Sequence, residues 1–198
     1  MARVPFVGLT GGLGAGKSTA LAALERLGAA TLSTDAVVHE LYASPQLRDA
    51  VVARWGADVA PGGVVDRSAV AARVFSSDDE REWLESRLWP SVRERVARWL
   101  EGVQAREPPP VAAVVEVPLL FEAGMEHIYD ATIAVTADEQ LRAERAGSRG
   151  HVGASERAAR QIPQEEKARR ATYAVDNAGT VDELERQLST VLDRLRSP

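Results

Sequence analysis

The sequence contains no cysteine, and its three histidines stand far apart. The missing thiols exclude a disulfide framework and a cysteine-based zinc site. His39, His127 and His151 lack the close spacing of paired metal ligands, so they predict no metal centre of their own. A chain without cysteine is typical of a reducing compartment, and we therefore expect a cytoplasmic location.

Long apolar runs are absent as well. No stretch approaches the roughly 18 apolar residues that a membrane span needs, and the first residues lead into a short apolar strand rather than a signal peptide. The net charge of −5 argues against a general nucleic-acid binder, which usually carries a basic excess. We expect neither membrane nor nucleic acid as a partner, and the 198 residues predict one domain that acts as a monomer or small homo-oligomer.

Lysine is scarce, because only Lys17 and Lys167 among the 24 basic residues are lysine. Lys17 belongs to the run Gly11-Gly-Leu-Gly-Ala-Gly-Lys-Ser-Thr19, which fits the phosphate-binding loop G-x-x-x-x-G-K-[ST]. An apolar run precedes this segment and a helical pattern follows it, as the motif requires. Its glycines let backbone N–H groups surround phosphate oxygens, while Lys17 reaches the β- and γ-phosphates and Ser18 ligates Mg²⁺. The alternative is a glycine-rich turn without a ligand.

Short apolar runs alternate with helical patterns along the rest of the chain. This alternation predicts an α/β fold, a doubly wound parallel five-stranded sheet. The predicted strands are 6–9, 30–32, 111–117, 132–135 and, more weakly, 173–175. The ligand crevice is then expected at the carboxyl ends of the strands, where the phosphate loop begins.

Two segments interrupt the alternation. Residues 36–107 are almost wholly helical in pattern and predict a helical acceptor-binding insertion. Between residues 142 and 170, eight basic side chains stand against four acidic ones, which is typical of a phosphate-binding lid, although a solvated helical face is the alternative. We accordingly predict a core of residues 1–35, 108–139 and 169–198, with an insertion at 36–107 and a helical lid at 140–168.

Two carboxylates follow predicted strands. Asp35 comes directly after the second strand and is a candidate to accept the proton of an acceptor hydroxyl, the alternative being a helix cap. Glu116 ends the third strand and is a candidate to orient a water on Mg²⁺, the alternative being a solvent-facing residue. The following segment, Pro118-Leu-Leu-Phe-Glu122, predicts an edge of the acceptor pocket. Arg145 and Arg149 are one helical turn apart and can face the same phosphate.

Several motifs in this order resemble those of the dephospho-coenzyme A kinase family. Beside the phosphate loop they are Thr34-Asp35 with His39, Trp89-Pro90, Val117 to Glu122, Arg145-x-x-x-Arg149 and Val175-Asp-Asn-Ala-Gly179. The resemblance covers nearly the whole chain, and it implies a core of the P-loop NTPase, nucleotide-kinase-like kind. It implies ATP-dependent phosphorylation of the ribose 3′-hydroxyl of dephospho-coenzyme A, the last step of coenzyme A biosynthesis, with ATP and Mg²⁺ bound.

The resemblance also implies roles for individual residues. Lys17, Asp35 and Arg149 would be catalytic, with Arg149 neutralising phosphate charge from the lid. The implied nucleotide contacts are Gly11, Gly12, Leu13, Gly14, Ala15, Gly16, Lys17, Ser18, Thr19, Arg145 and Arg149. The implied acceptor contacts are Asp35, His39, Pro118, Leu119, Leu120 and Glu122.

This chain departs from the family pattern at several positions. It has Ser33 where the family usually has an acid, Trp89 where it has histidine, and Gly150 where it has aspartate. A related small-molecule kinase with another acceptor is therefore the first alternative. A nucleotide-sensing regulator or switch GTPase is the second, although the chain lacks the Asn-Lys-x-Asp motif that reads guanine.

Overall fold

The structure, a computed structural model, describes residues 3–147 and 160–196. The five strands are β1 (Phe6–Gly11), β2 (Ala30–Ser33), β3 (Ala113–Glu116), β4 (Ala131–Thr136) and β5 (Tyr173–Asp176). The helices are α1 (Lys17–Arg26), α2 (Thr34–Tyr42), α3 (Pro45–Trp55), α4 (Arg67–Phe75), α5 (Asp78–Gln104), α6 (Glu139–Gly147), α7 (Gln164–Arg170) and α8 (Val181–Arg196). All five predicted strands are present, and their bounds shift by two residues at most.

The strands form one parallel sheet in the order β2-β3-β1-β4-β5. β1 is the central strand and is buried along its whole length. β1 lies between β3 and β4, so the chain runs from β1 to β2 and β3 on one side of it and then crosses to β4 and β5 on the other. The loop after β1 therefore emerges where the strand order reverses. This is the place at which open α/β sheets bind their ligands, as the sequence predicted.

Both faces of the sheet are covered. Val7 and Leu9 of β1 join a core with α1 and α8, in which Leu24 and Leu188 are fully buried and contribute about 1.5–3 kcal/mol each. Side chains alternate along a strand, so Thr10 points to the opposite face, where the structure places the β3–β4 connection and α7. The predicted doubly wound fold is thereby confirmed.

The chain divides into two compact units, residues 1–33 with 99–198, and residues 34–98. The first unit contains the sheet. The second is helical and has its own apolar core, which includes Val51, Val70 and Leu88. Trp55 and Trp83 pack edge to face beside that core with ring centroids 5.0 Å apart. The predicted division into core, insertion and lid stays a prediction.

Helix starts in the second unit follow local capping chemistry. The side chain of Ser44 accepts a hydrogen bond from the Leu47 amide at the start of α3. Asp66 accepts from the amides of Ser68 and Ala69 at the start of α4. These caps satisfy amides that have no partner within the helix, and they thereby favour helix starts at Pro45 and Arg67.

Candidate active site

The loop between β1 and α1 has the backbone of a phosphate cradle. Gly14 and Gly16 have φ angles of +75° and +88°, a left-handed conformation that residues with a Cβ rarely adopt. Gly16 precedes the first residue of α1, and among the described residues no side chain caps that helix. The first amides of α1 therefore point into the loop, where an anion can accept from them.

Lys17 lies over the same loop. Its Nζ donates to the carbonyl oxygens of Gly11 and Gly12 at 3.1 and 3.2 Å. The ammonium is thus held beside the loop. In a nucleotide complex, phosphate oxygens would take the place of the Gly11 and Gly12 carbonyl oxygens as its hydrogen-bond acceptors. Ser18 and Thr19 follow in the first turn of α1.

The walls of the loop come from segments distant in sequence. Asn177, which follows β5 and is buried, donates from Nδ2 to the Ala15 carbonyl oxygen at 2.9 Å. The backbone of α6 lies so close that a Cβ added to Gly14 would overlap the Arg142 carbonyl. A Cβ on Gly16 would likewise overlap the Asn177 amide. The loop is therefore packed against protein on its outer side and cannot widen.

We expect Gly14→Ala to lower nucleotide affinity at least about tenfold, equivalent to about 1.4 kcal/mol, because the methyl group would displace either the loop or α6. Gly62→Ala is the matched control, since Gly62 has φ +64° and nothing within 4 Å of an added Cβ. Both variants carry backbone strain, but only the first carries a clash. Titration of each variant with a fluorescent ATP analogue gives the two dissociation constants to be compared. Equal affinity in the two would show that the loop tolerates a side chain.

Two arginines of α6 approach the loop. Arg145, a predicted nucleotide contact, donates from Nη1 to the Asn177 carbonyl oxygen at 3.2 Å. Arg142 lies closer, because a Cβ on Gly12 would be 2.6 Å from its Nη1. Its buried Nε has no hydrogen-bond partner in the part of the chain that the structure describes. By sequence alone, Arg142 is one of the eight basic residues between 142 and 170, with no role of its own. Arg149 lies outside the described residues.

The carboxyl ends of β2 and β3 bring Ser33 and Glu116 together, as their register in the sheet requires. The Ser33 hydroxyl donates to Glu116 Oε2 at 2.7 Å, and Glu116 is buried. Glu116 is thus not the solvent-facing residue of the alternative interpretation. A buried carboxylate beside a hydroxyl is the hard oxygen environment that suits Mg²⁺ and its waters.

The segment after β3 is packed closely against the protein. Leu120 is fully buried beneath the sheet, where it limits the space at Gly8. Glu122 forms an ion pair with Lys167, at 2.9 Å between Oε1 and Nζ. Pro118 is buried and Leu119 only partly so. The predicted contact of these four residues with the acceptor stays a prediction.

Lys167 is the most unexpected residue of this region. It is fully buried, and besides Glu122 its Nζ donates to the Pro118 carbonyl oxygen at 2.7 Å and to Thr10 Oγ1 at 3.4 Å. Burial lowers the pKa of the Lys167 ammonium from its ordinary value, and the bond to Glu122 acts in the opposite direction. Sequence reasoning missed this role, although the scarcity of lysine was a signal for it.

The second unit carries the remaining predicted residues. Asp35 lies in the first turn of α2, two residues after Ser33, and its side chain is exposed. His39 lies one turn further along α2, where its Nδ1 and the Arg67 guanidinium are 2.8 Å apart. Their roles toward an acceptor stay predictions. Within the described ranges no helix is long and apolar enough to cross a membrane, and no three acidic or histidine side chains form a metal cluster.

A parallel sheet with a glycine cradle after its central strand and a lysine over that cradle defines a P-loop nucleotide-binding protein. A sequence model of the dephospho-CoA kinase family matches residues 5–183. The chain therefore belongs to the dephospho-coenzyme A kinase family. It is a phosphotransferase of the last step of coenzyme A biosynthesis, as the motifs predicted, and a different acceptor or a regulatory role is not favoured.

Individual relatives agree with this assignment. The dephospho-CoA kinase of Deinococcus radiodurans is 38% identical over 192 residues, covering 96% of this chain and 91% of the relative. A crystal structure of a Thermus thermophilus protein superposes with a TM-score of 0.80 at 33% identity, covering 99% of this chain and all of that one. Dephospho-CoA kinase from Campylobacter jejuni has a TM-score of 0.68 at 21% identity, with 96% of each chain covered, and supports the fold.

Proposed function

We propose that this chain transfers the γ-phosphoryl group of ATP to the ribose 3′-hydroxyl of dephospho-coenzyme A. The observation that carries the proposal is the phosphate loop, whose glycines leave no room for side chains and whose lysine sits at its mouth, in a chain of this family. In the proposed reaction the 3′-oxygen bonds to the γ-phosphorus. The bond from that phosphorus to the β–γ bridging oxygen breaks, and ADP leaves with the electron pair.

The donor half of the site follows from the loop geometry. Gly11 to Thr19 hold the phosphates through backbone amides, and Lys17 offsets charge on the β- and γ-phosphates. Arg145 of α6 and Arg149, which lies outside the described residues, are proposed to add positive charge at the phosphates. We add Arg142 to this set, because its Nη1 lies beside Gly12 and its buried Nε has no hydrogen-bond partner among the described residues, so that an anionic ligand would satisfy it.

Mg²⁺ fits the oxygen donors that are present. The Ser18 hydroxyl would ligate it directly, and Glu116, buried and bonded to Ser33, would act through a water. When bound there, the ion would supply positive charge that offsets the charge of the nucleotide phosphates. This arrangement needs no cluster of protein carboxylates, because Mg²⁺ retains several waters and phosphate oxygens as ligands.

The acceptor half depends on Asp35. The residue stands two positions after Ser33, which ends β2 beside β3, and its carboxylate is proposed to take the proton that the 3′-hydroxyl loses. His39, Pro118, Leu119, Leu120 and Glu122 complete the proposed acceptor half, with Leu120 and Glu122 supporting the loop from inside. We place the reaction in the cytoplasm and propose no membrane or nucleic-acid partner.

The decisive experiment is an acceptor assay. Incubation with ATP, Mg²⁺ and dephospho-coenzyme A is expected to yield a product that is heavier by one phosphate, with one ADP for each product molecule. Phosphorus NMR locates the new phosphate on the 3′-oxygen, and chelation of the metal should stop turnover. Adenosine, AMP and pantetheine serve as competing acceptors. Turnover of another acceptor alone would replace the proposed substrate, and nucleotide binding without transfer to any of them would contradict a kinase.

A further inference from the structure

Resting on the proposed function, we infer that Lys167 and Gln161 are positioning residues that hold the phosphate loop and the Pro118–Glu122 loop in register for transfer. Neither residue needs to touch a substrate. Together they join the donor half of the site to the segment proposed to support the acceptor half.

The Pro118 carbonyl oxygen is the centre of this connection. It accepts from Lys167 Nζ at 2.7 Å, from Gln161 Nε2 at 3.1 Å and from Thr10 Oγ1 at 3.3 Å. Thr10 is the residue before the phosphate loop. Three donors from three segments therefore converge on one backbone atom at the start of the Pro118–Glu122 loop.

Gln161 ties the same point to the phosphate loop directly. Its Oε1 accepts from the Leu13 amide at 3.0 Å while its Nε2 donates to Pro118. One planar amide thus spans the two loops, and a shift of either loop would break one of its bonds. The Leu13 amide belongs to the segment that surrounds the phosphates, so this bond also fixes the outer edge of the cradle.

Lys167 anchors the other end of the Pro118–Glu122 loop. Glu122 Oε1 accepts from Lys167 Nζ and from the Ile162 amide, each at 2.9 Å. The ammonium has three hydrogens, and the structure supplies three acceptors, on Thr10, Pro118 and Glu122. The donors of an arginine lie in one plane, so a guanidinium at this place could not reach three acceptors that surround a single nitrogen. This explains why lysine stands here in a chain that otherwise uses arginine almost everywhere.

Stability alone is a weak reason for this arrangement. A buried ion pair loses its hydration, and replacing such a pair by apolar residues is often neutral for folding. Phosphoryl transfer, in contrast, depends on alignment of the reacting groups, and a displacement of about 1 Å costs about 100-fold in rate. The network is placed where such a displacement would arise, since it sets the distance between the two loops.

The test separates alignment from folding. Lys167→Met combined with Glu122→Gln removes both charges together, so that no carboxylate is left buried without its cation. Gln161→Leu is the second variant. Because Gln161 is only partly buried, this variant tests the inference if the first variant fails to fold. Arg169→Met is the control for a change at the surface of α7, because Arg169 is exposed on the same helix as Lys167. The double variant, unlike this control, leaves the net charge of the chain unchanged.

For both variants we expect kcat with ATP and dephospho-coenzyme A to fall about 10- to 100-fold, while the ATP dissociation constant changes less than about twofold. The ADP formed per coenzyme A should rise above one, because a misaligned phosphoryl group is lost to water. Wild-type kcat and a ratio of one in folded variants would overturn the inference, as would a loss of activity that matches a loss of ATP affinity. Failure of the wild-type enzyme to use dephospho-coenzyme A would instead overturn the proposed function.

Discussion

Replacement of Lys17 by alanine is expected to lower kcat/KM for ATP about 100- to 1,000-fold, the loss typical of removing one group that stabilises a transition-state charge. The ammonium now bonds to the Gly11 and Gly12 carbonyl oxygens, at 3.1 and 3.2 Å, and is therefore already placed at the loop. When phosphates occupy the cradle, their oxygens offer it stronger, charged acceptors. Steady-state kinetics with varied ATP and saturating acceptor measures the loss.

Two controls isolate the cause. Lys17→Arg keeps the charge but replaces a compact ammonium by a planar fork, so we expect it to remain clearly impaired. Arg26→Ala removes a cation from the last turn of the same helix, where the side chain pairs with Glu185 at the surface, and kcat/KM should stay near the wild-type value. Activity of Lys17→Ala within about threefold of the wild type would contradict a role for Lys17 in transfer.

The fold was largely predictable because its signals are local. Each strand is an apolar run, since both faces of a parallel sheet are covered, and each run is followed by a helical pattern. The order of the strands was not predicted, because it depends on contacts between segments far apart in the chain. Extension of β1 to Gly11 also escaped the pattern, since Thr10 and Gly11 are not apolar although both are buried.

The site was predictable where one short segment makes it. The phosphate loop has its glycines and lysine within nine residues, and the structure places them as the motif requires. Asn177 and Lys167 act on that region from far along the chain, the latter 157 residues from Thr10. Lysine is almost never fully buried, so a local pattern places Lys167 on a solvated helix face. Only the contacts in the folded structure show that Lys167 is buried and bonded to Thr10, Pro118 and Glu122.

Ser33 shows how a departure from a family pattern can be compensated. The family usually has an acid at this position, and here the serine hydroxyl donates to buried Glu116 at 2.7 Å. A carboxylate in its place would face the carboxylate of Glu116, and one of the two would have to hold a proton. Serine supplies a neutral donor instead. Glu116 thereby has a hydrogen-bond donor beside it and not a second carboxylate.

Asp35→Asn is expected to lower kcat about 100- to 10,000-fold, the range typical of losing a general acid or base, while ATP affinity changes little. The substitution keeps the size of the side chain and one acceptor oxygen but replaces the carboxylate that is proposed to take the proton. Asparagine caps helices about as well as aspartate. A loss of rate therefore cannot be attributed to a lost cap at the start of α2, which was the alternative role of Asp35.

Asp49→Asn is the matched control, because Asp49 is an exposed acid of the second unit whose carboxylate pairs with the neighbouring Arg48. It should leave kcat unchanged. Single-turnover measurements with preformed enzyme and ATP then separate transfer from product release in the Asp35 variant. If the transfer rate of Asp35→Asn stays within about threefold of the wild type, Asp35 serves the helix and the proton leaves directly to water. If the transfer rate falls while the ATP dissociation constant is unchanged, the carboxylate acts on the acceptor hydroxyl, because asparagine preserves the capping of α2.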